Sequence, residues 1–404
     1  MAAANPTNFA SFIKTVWPNG FQDILYKNFP ILGFIEKDSS WEGDAMVLPI
    51  RYGAVTGASV NFGIAQKNKS PSQVTRFSVP FTKEYVVLSV DGQLLRAAAT
   101  KKGGMASILT SEIESGMLTF RRRLAQGIYG NGGGSIGQFA SGSVAGTTLT
   151  LANRTDAVHW QKGMVIQLSA DDGFTASAGV RTGTVTVAGV NRQTGVITFT
   201  GNVNAGIPAA VNTDFAYWEG DYQGKIKGQA AWVPTTAPGA TSFYGVDRTA
   251  DVTRLGGLRV SAAATIEETL IDMSAEAFIE GADPDKVLLN PLDWAKLAKS
   301  VGSKAVIDVP TDNAAISFKG IELYTPQGAL QCVGDPFMQK GFARMIQSDT
   351  WQLGSLGEFP GILMEDSNKL LRDMTEDAYE VRIGGYAGHG CSAPGWNVVG
   401  TLPS

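Results

Sequence analysis

The longest regular pattern in the chain is a series of apolar residues three and four positions apart between Gly104 and Tyr129. This spacing puts the apolar side chains on one stripe of an α-helix, which at about 1.5 Å per residue would be roughly 40 Å long. The glycine-rich stretch from Gly130 to Gly134 suits the left-handed turn that ends a helix. We therefore predict one long amphipathic helix, called the spine helix below, with a sheet or several other elements packed on its stripe. The stripe consists of Met105, Ile108, Leu109, Ile113, Met117, Phe120, Leu124 and Ile128.

Residues 44–90 follow a different pattern, because apolar and polar residues alternate, and a period of two predicts β-strands. The stretch 66–72 between the alternating runs is rich in turn-forming residues, so the whole segment is predicted to be one long β-hairpin. Pro49 and Pro80 fit edge strands only. A two-stranded ribbon is marginally stable on its own in water, so we expect a neighbouring subunit to cover its aromatic side chains. These aromatic residues are Tyr52, Phe62, Phe77 and Phe81.

The remaining chain divides into an N-terminal arm, a β-rich block and a mixed α/β region. Residues 1–43 mix short amphipathic pieces with Pro and Gly, as in an arm that packs on something else. Short strands separated by turns fill residues 142–221, which predicts an inserted all-β barrel or sandwich domain. After residue 224, helical and strand patterns alternate. We predict one helix that ends at Gly281, a second that starts at Pro291 behind an Asn290 cap, and strands at 286–289, 321–324 and 378–383.

The composition favours extensive burial of surface against other subunits. Only 17% of the 404 residues are charged, 44% are hydrophobic, and the formal net charge is −4. An ordinary monomer needs more surface charge to stay soluble, and a general nucleic-acid binder should be basic. No apolar run is long enough to span a membrane, and the first residues lack the pattern of a signal peptide. Cys332 and Cys391 are interpreted as free thiols in a reducing cytoplasm.

The motifs that could carry catalysis lack the context that they need. Residues 133–137 fit a G-x-S-x-G nucleophile elbow around Ser135, and residues 132–137 fit a G-x-G-x-x-G dinucleotide motif. Both require a strand before the turn and a helix after it, whereas here a long helix comes first and irregular chain is expected to follow. His159 and His389 are far apart in the sequence and are interpreted as structural. We predict no enzyme, and no catalytic, cofactor-binding or metal-binding residue.

Three groups of charged residues have more than one interpretation. Arg121, Arg122 and Arg123 on the spine helix could contact phosphate or an acidic partner, or form salt bridges at a subunit contact. Lys67 and Lys69 near the hairpin tip could serve solubility or contact an acidic neighbour. A set of carboxylates on a later helix is interpreted as a solvated face rather than as a catalytic or metal site. These are Glu267, Glu268, Asp272, Glu276 and Glu280.

The order of the elements, from arm and hairpin to spine helix, glycine-rich exit and α/β region, resembles that of the major capsid proteins of tailed bacteriophages with the HK97-like fold. The resemblance covers nearly the whole chain except about 142–221. Four segments carry it, namely RRRLAQGIYGNGGGSIGQF at 121–139, PDKVLLNPLDWAKL at 284–297, SDTWQLGSLGEFPGILMED at 348–366 and DAYEVRIGGYAGHGCSAPGWNVV at 377–399.

The resemblance implies an α+β fold and a shell-forming subunit. The subunits would form hexamers and pentamers of an icosahedral shell that encloses double-stranded DNA in the virion, after assembly in the host bacterial cytoplasm. The hairpin would be the E-loop, which lies on the adjacent subunit, and its aromatic residues, the tip lysines and the three arginines would make intersubunit contacts. Further partners would be a portal and, where present, a separate scaffolding protein and decoration proteins. The implied parts are the arm (1–43), the E-loop (44–92), the peripheral domain (93–141 and 345–385), the inserted β domain (142–221) and the axial domain (222–344 and 386–404).

Other functions stay open at this point. A cellular compartment of the encapsulin type would share the fold and enclose a protein cargo. A secreted β-rich binding module, such as a glycan-binding adhesin, fits poorly with the long helix and the missing signal peptide. A hydrolase that uses Ser135 fits poorly with the turn context. Covalent cross-linking through Lys67 or Lys69, known in one relative, lacks an asparagine partner that can be aligned.

Overall fold

The computed structural model describes residues 29–92, 104–174, 178–302, 321–325, 328–363, 371–373 and 376–403. Within these residues the protein has a mixed α+β fold with two six-stranded sheets, a two-stranded ribbon and a closed barrel. Most of the predicted arm, residues 1–28, lies outside the described residues.

The elements are numbered in chain order. The helices are α1 Pro30–Phe34, α2 Phe62–Lys67, α3 Gly104–Tyr129, α4 Val203–Gly206, α5 Gln229–Trp232, α6 Ile266–Ile279 and α7 Pro291–Gly302. The strands are β1 Glu36–Asp38, β2 Ala45–Gly53, β3 Gln73–Pro80, β4 Thr82–Asp91, β5 Ser135–Gly142, β6 Thr148–Leu151, β7 Val165–Ser169, β8 Val185–Asn191, β9 Val196–Phe199, β10 Phe215–Trp218, β11 Leu258–Val260, β12 Lys286–Leu289, β13 Ile321–Thr325, β14 Gly328–Gly334, β15 Phe342–Ile346, β16 Trp351–Ser355, β17 Gly361–Ile362, β18 Leu371–Arg372, β19 Ala378–Cys391 and β20 Val398–Thr401.

The spine helix is confirmed with its predicted bounds, as α3. It packs across β4 and β19 of the first sheet, whose order is β1-β16-β19-β17, with β4 and β18 also paired to β19. Phe120, Leu124 and Ile128 of the predicted stripe are buried in the core that the helix and the sheet share. A Cβ on Gly116 would lie 2.8 Å from Cδ1 of Leu88, so a side chain there would push the helix and β4 apart. The side chains at the start of the stripe lie outside the described residues; these are Met105, Ile108 and Leu109.

The predicted long hairpin is shorter than expected and carries a helix near its tip. Strands β2 and β3, which we call the ribbon, pair antiparallel over residues 45–53 and 73–80. Strand β4, predicted as part of the hairpin, instead pairs with β19 in the first sheet. Where turns were expected near the tip, α2 forms, because Oδ1 of Asn61 accepts the N–H groups of Gly63 (2.9 Å) and Ile64 (3.3 Å) and caps the helix.

The second six-stranded sheet, in the order β11-β20-β15-β12-β14-β13, carries α6 and α7. One face of this sheet forms a core of its own with the two helices, and the other face adds Leu288, Ile346 and Val399 to the core around the spine helix. Helix α7 begins at Pro291 as predicted, and Oδ1 of Asn290 accepts the N–H of Leu292 at 3.1 Å. A capping box of Thr265 and Glu268 starts α6. The three predicted strands are confirmed as β12, β13 and the first part of β19.

Strands β5 to β10 close into a barrel in the order β10-β5-β6-β9-β8-β7. The barrel has its own hydrophobic core, in which Trp160 and Ile166 are fully buried. It starts earlier than the predicted β block, because β5 begins at Ser135, where the sequence suggested irregular chain. The two ends of the barrel segment meet, since the N–H of Gln223 donates to the carbonyl oxygen of Gly133 at 2.9 Å.

We predict that replacing residues 135–219 by a short Gly/Ser linker leaves a subunit that still folds, because the adjacent ends need only a short connection. Thermal unfolding followed by circular dichroism should show one cooperative transition, at a lower midpoint because contacts with the spine helix are lost. The excised piece, residues 133–221, should unfold cooperatively by itself. Gradual melting of both pieces would show that the barrel is not an independent folding unit.

Candidate intersubunit surface

The base of the ribbon packs on its own subunit. Phe77 on β3 is fully buried, and its ring centroid lies 5.0 Å from that of Trp232 and 6.2 Å from that of Phe243. Phe81 is partly covered by the same core. The prediction that Phe77 contacts another subunit is therefore wrong. Trp232 of α5 and Phe243 in the loop after it bury the Phe77 ring, whereas the strand pattern alone indicated burial by a second chain.

The segment 54–72, which joins the two strands of the ribbon and contains α2, leaves the body of the subunit, and we call it the distal ribbon. On α2, Phe62 is 81% exposed and Ile64 is 51% exposed. Lys67 and Lys69 are exposed beside them. An exposed apolar patch of this kind marks an interaction surface in many proteins, so the distal ribbon is the candidate intersubunit surface. Further exposed apolar residues on the ribbon are Val55, Val60 and Val74.

Tyr52 marks the point where the ribbon leaves the body. Its carbonyl oxygen accepts a hydrogen bond from Nη1 of Arg254 at 2.8 Å. The same guanidinium donates from Nε to Oε2 of Glu280 at 3.2 Å, directly after α6. Since the Tyr52 ring also packs on the core around the spine helix, this residue anchors the ribbon within its own subunit.

The three consecutive arginines of the spine helix point to different partners. Arg121 is exposed and, with Lys37, lines a cavity of about 310 Å³. Arg122 donates from Nη2 to the carbonyl oxygen of Val158 in the barrel at 2.5 Å. Arg123 is used in ion pairs within the chain. Arg122 and Arg123 are therefore engaged within the chain, whereas Arg121 is exposed, and the intersubunit role of the three arginines stays a prediction.

Arg123 belongs to a nearly buried cluster of four charged side chains, which we call the ion cluster. Its guanidinium pairs with Glu84 of β4, and Nη2 lies 2.9 Å from both carboxylate oxygens of Asp221. Nζ of Lys225 lies 2.6 Å from Oε2 of Glu84 and 3.7 Å from Oδ2 of Asp221. The Arg123 guanidinium also stacks 4.9 Å from the ring centroid of Trp218. Burial by itself raises the pKa of Glu84, but Lys225 and Arg123 outweigh burial, and the net pKa lies below its ordinary value.

We predict that Arg123→Leu lowers the free energy of unfolding by about 3–5 kcal/mol, because it leaves buried carboxylates without compensation. The exposed Arg121→Leu should change the same quantity by less than about 0.5 kcal/mol and serves as the matched control. Combining Arg123→Leu with Glu84→Leu should recover part of the loss, since Asp221 and Lys225 still balance one another. If denaturant unfolding shows the same small loss of unfolding free energy for Arg123→Leu and Arg121→Leu, the ion cluster does not stabilise the fold.

The motif around Ser135 lacks the arrangement of a nucleophile elbow. Ser135 opens β5 directly behind the spine helix, so a strand follows the turn where the elbow needs a helix. The Ser135 Oγ accepts the N–H of Gly137 at 3.3 Å. In the described part of the chain, no three His, Cys, Asp or Glu side chains are grouped so that they could hold a metal. No helix in that part is long and apolar enough to cross a membrane.

Both histidines lie in apolar surroundings. His389 is fully buried and stacks on Trp351 with ring centroids 5.0 Å apart, and burial lowers its pKa to about 4. His159 lies beside Phe337, with ring centroids 5.7 Å apart, and burial together with the charge of Arg122 lowers its pKa to about 3. Both imidazoles are therefore neutral at neutral pH, which agrees with a structural interpretation.

The acidic face predicted on α6 is divided in the structure. Glu267 is buried and accepts a hydrogen bond from the Ser300 hydroxyl. Glu268 closes the capping box, and Glu280 pairs with Arg254. Only part of the predicted solvated face is therefore solvated, and its exposed carboxylates are Glu268, Asp272 and Glu276.

Asp156, which no sequence pattern predicts to be functional, lines a cleft of about 550 Å³ between the barrel and the rest of the subunit. Burial raises its pKa from 3.8 to about 7, and no cationic side chain of the described residues offsets the effect. No motif surrounds Asp156 in the sequence. Its environment is created only when the barrel docks on the end of the spine helix, so no sequence signal could have identified it.

We predict that Asp156 makes the subunit less stable as the pH rises from about 4 to about 7. Its pKa is raised in the folded state, so over this range the folded state keeps a proton that the unfolded state has lost, and the stability contribution falls until the pH passes about 7. The unfolding free energy of Asp156→Asn relative to that of the parent should therefore rise by roughly 2–4 kcal/mol between pH 4 and pH 8. Glu219→Gln, on the barrel surface, is the control. If the difference in unfolding free energy between the parent and Asp156→Asn, measured by denaturant unfolding, does not change with pH, the raised pKa of Asp156 is refuted.

Comparisons with known proteins identify the fold. No family profile matches the sequence, and a search of curated proteins finds no match. A chain of the cyanophage A-1(L) capsid asymmetric unit aligns with a TM-score of 0.55 and 11% identity, over 96% of this chain and 94% of that chain. A chain of the native GTA particle capsid aligns with a TM-score of 0.51 and 10% identity, over 100% of both chains. The protein has the fold of these capsid chains, which confirms the expected resemblance at the level of the fold.

Proposed function

We propose that this protein is the major capsid protein of a tailed bacteriophage and assembles with copies of itself into the shell of the virion. The observation that carries the proposal is the fold, which extends over nearly the full length of two capsid chains. A capsid role is structural rather than enzymatic, and the Ser135 turn gives no support to a catalytic one.

The exposed distal ribbon supports self-assembly independently of the fold comparison. Phe62 and Ile64 lie on a short helix at the end of a two-stranded ribbon, where none of the hydrophobic cores formed by the described residues covers them. Burying such side chains contributes roughly 2–3 kcal/mol each. A charged fraction of only 17% adds to this, because a subunit that buries much of its surface against neighbours needs fewer surface charges.

In the proposed capsid, each part of the structure takes a role of the HK97-like fold. The ribbon is the E-loop, and the spine helix with the first sheet forms the peripheral domain. The second sheet with α6 and α7 forms the axial domain. The barrel is an inserted domain on the outer surface. The subunits form hexamers and pentamers around double-stranded DNA, with a portal, and with any scaffolding or decoration proteins as separate chains.

Expression of the protein alone, followed by electron microscopy, tests the proposal. Closed shells are the expected result, and protein that stays monomeric at every concentration and ionic strength tried would contradict it. Particles recovered from infected cells should contain nuclease-protected double-stranded DNA. A protein cargo in place of DNA would indicate a cellular compartment instead.

We predict that Phe62→Asp combined with Ile64→Asp prevents shell formation and leaves the monomer as stable as the parent. Both side chains are exposed in the monomer, whereas an unpaired charge buried in an interface costs several kcal/mol. Val180→Asp, at an exposed apolar position of the barrel, is the matched control. Sedimentation velocity measures assembly, and denaturant unfolding measures stability. Normal shells from the double variant would refute the role of the distal ribbon.

A further inference from the structure

The cleft between the barrel and the rest of the subunit has the size of a small-molecule site. Its volume is about 550 Å³, within the range of roughly 300–1,000 Å³ that such sites occupy, and they are common between domains. Asn131, Gln138 and Gln339 line the cleft beside several aromatic rings. A molecule with an apolar body and polar ends would therefore find both kinds of contact here. The aromatic residues of the walls are Tyr129, Phe174, Phe215, Phe337 and Phe342.

Arg344 on β15 brings an uncompensated positive charge to one wall of the cleft. The residue is only 5% exposed, and burial lowers its pKa to about 10, so it stays charged at neutral pH. Nη1 donates to the carbonyl oxygens of Gln229 at 3.2 Å and Val233 at 3.1 Å. Nε and Nη2 have no partner among the described residues, and none of the described carboxylates pairs with the guanidinium. A carboxylate of a ligand would supply the missing charge-assisted hydrogen bonds.

Asp156 brings the opposite charge to the cleft from the barrel side. It lies in the short 3₁₀ helix Arg154–His159. Its carboxylate forms neither an ion pair nor a hydrogen bond with a described residue, and burial alone raises its pKa to about 7. An ammonium or guanidinium group of a ligand would supply the missing partner. Asp156 and Arg344 do not pair with each other, so the cleft holds two unlike charges that each need a separate partner.

The other titratable groups of the walls already have their interactions. Oδ2 of Asp172 accepts a hydrogen bond from Nδ2 of Asn131 at 2.8 Å. The hydroxyl of Tyr129 donates to Oδ2 of Asp335 at 2.9 Å. His159 is neutral at neutral pH, because burial and a nearby arginine lower its pKa to about 3. Within the described residues, the two charges that remain for a ligand are therefore the carboxylate on the barrel wall and the guanidinium on the facing wall.

We propose that this cleft binds a small zwitterion, whose cationic end pairs with Asp156 and whose carboxylate accepts hydrogen bonds from Nε and Nη2 of Arg344. The apolar spacer between the two charged ends lies against the aromatic walls. A molecule with only one charge leaves one of the two buried groups without a partner, which gives the site its specificity. The site lies within one subunit, so it goes beyond the capsid proposal and its test does not require shells.

Isothermal titration calorimetry with ω-amino carboxylates tests the site in the full-length protein. The probes are 4-aminobutanoate, 6-aminohexanoate and 8-aminooctanoate, whose charged ends are increasingly far apart. The amine and the carboxylate of the same chain length are the matched controls, such as hexylamine and hexanoate. At least one zwitterion should bind with a dissociation constant below about 1 mM, and at least about tenfold more tightly than its two controls. If no zwitterion binds, or if the matching amine binds equally well, the inference is overturned.

Two variants separate the ends of the ligand. Asp156→Asn should weaken binding of the zwitterion at least about tenfold, to the level of the matching carboxylate, whose own affinity stays unchanged. Retained carboxylate binding distinguishes this result from loss of folding. Arg344→Lys, which removes Nε and Nη2 but keeps a charge, should weaken the zwitterion in the same way and leave the affinity for the amine unchanged. Glu219→Gln, on the barrel surface, should bind like the parent. Zwitterion binding that survives Asp156→Asn would refute the site.

The pH dependence of binding gives an independent measurement on the same protein. A proton on Asp156 competes with the cationic end of the ligand, so the affinity for the zwitterion should fall about tenfold per pH unit below about pH 7. The affinity of Asp156→Asn should not change over that pH unit. An affinity of the parent that also stays constant would show that Asp156 does not hold the cationic end, and the proposal would be wrong.

Discussion

The arrangement of this subunit depends on the ion cluster of Glu84, Arg123, Asp221 and Lys225. The four side chains come from β4, from the spine helix and from the segment that follows the barrel. A charge removed from water is tolerated only when its partners are in place, so each of these parts constrains the others. The cluster therefore fixes where β4, the strand that follows the ribbon, crosses the spine helix. It also fixes where the chain returns from the barrel to the rest of the subunit.

The same constraint divides the ribbon into two parts with different roles. Because β4 is held against the spine helix and β19, the base of the ribbon lies over the core and buries Phe77 beside Trp232. The distal ribbon projects beyond this support, and Phe62 stays exposed. An element that is rigid at its base and uncovered at its end is well suited to reach a second molecule at small cost in conformational entropy.

Charge is distributed along the chain in a way that the net value of −4 conceals. The ribbon is basic, the exposed face of α6 is acidic, and the ion cluster is balanced inside the fold.

The sequence by itself determined the local elements and the fold class. The spacing of apolar residues predicted the spine helix to the residue, and Asn290 with Pro291 predicted the start of α7, because helical periodicity and capping depend on near neighbours. The helix cap at Asn61 was not predicted, and the barrel begins at Ser135, earlier than the predicted β domain. Only the tertiary structure decided that β4 leaves the hairpin for β19, that Phe77 and Arg123 are used within the subunit, and that Asp156 lies in a cleft. Each of these outcomes depends on contacts between residues that are far apart in the chain. Packing and the desolvation of charge decide which of these residues come together, and a pattern of neighbouring residues predicts neither effect.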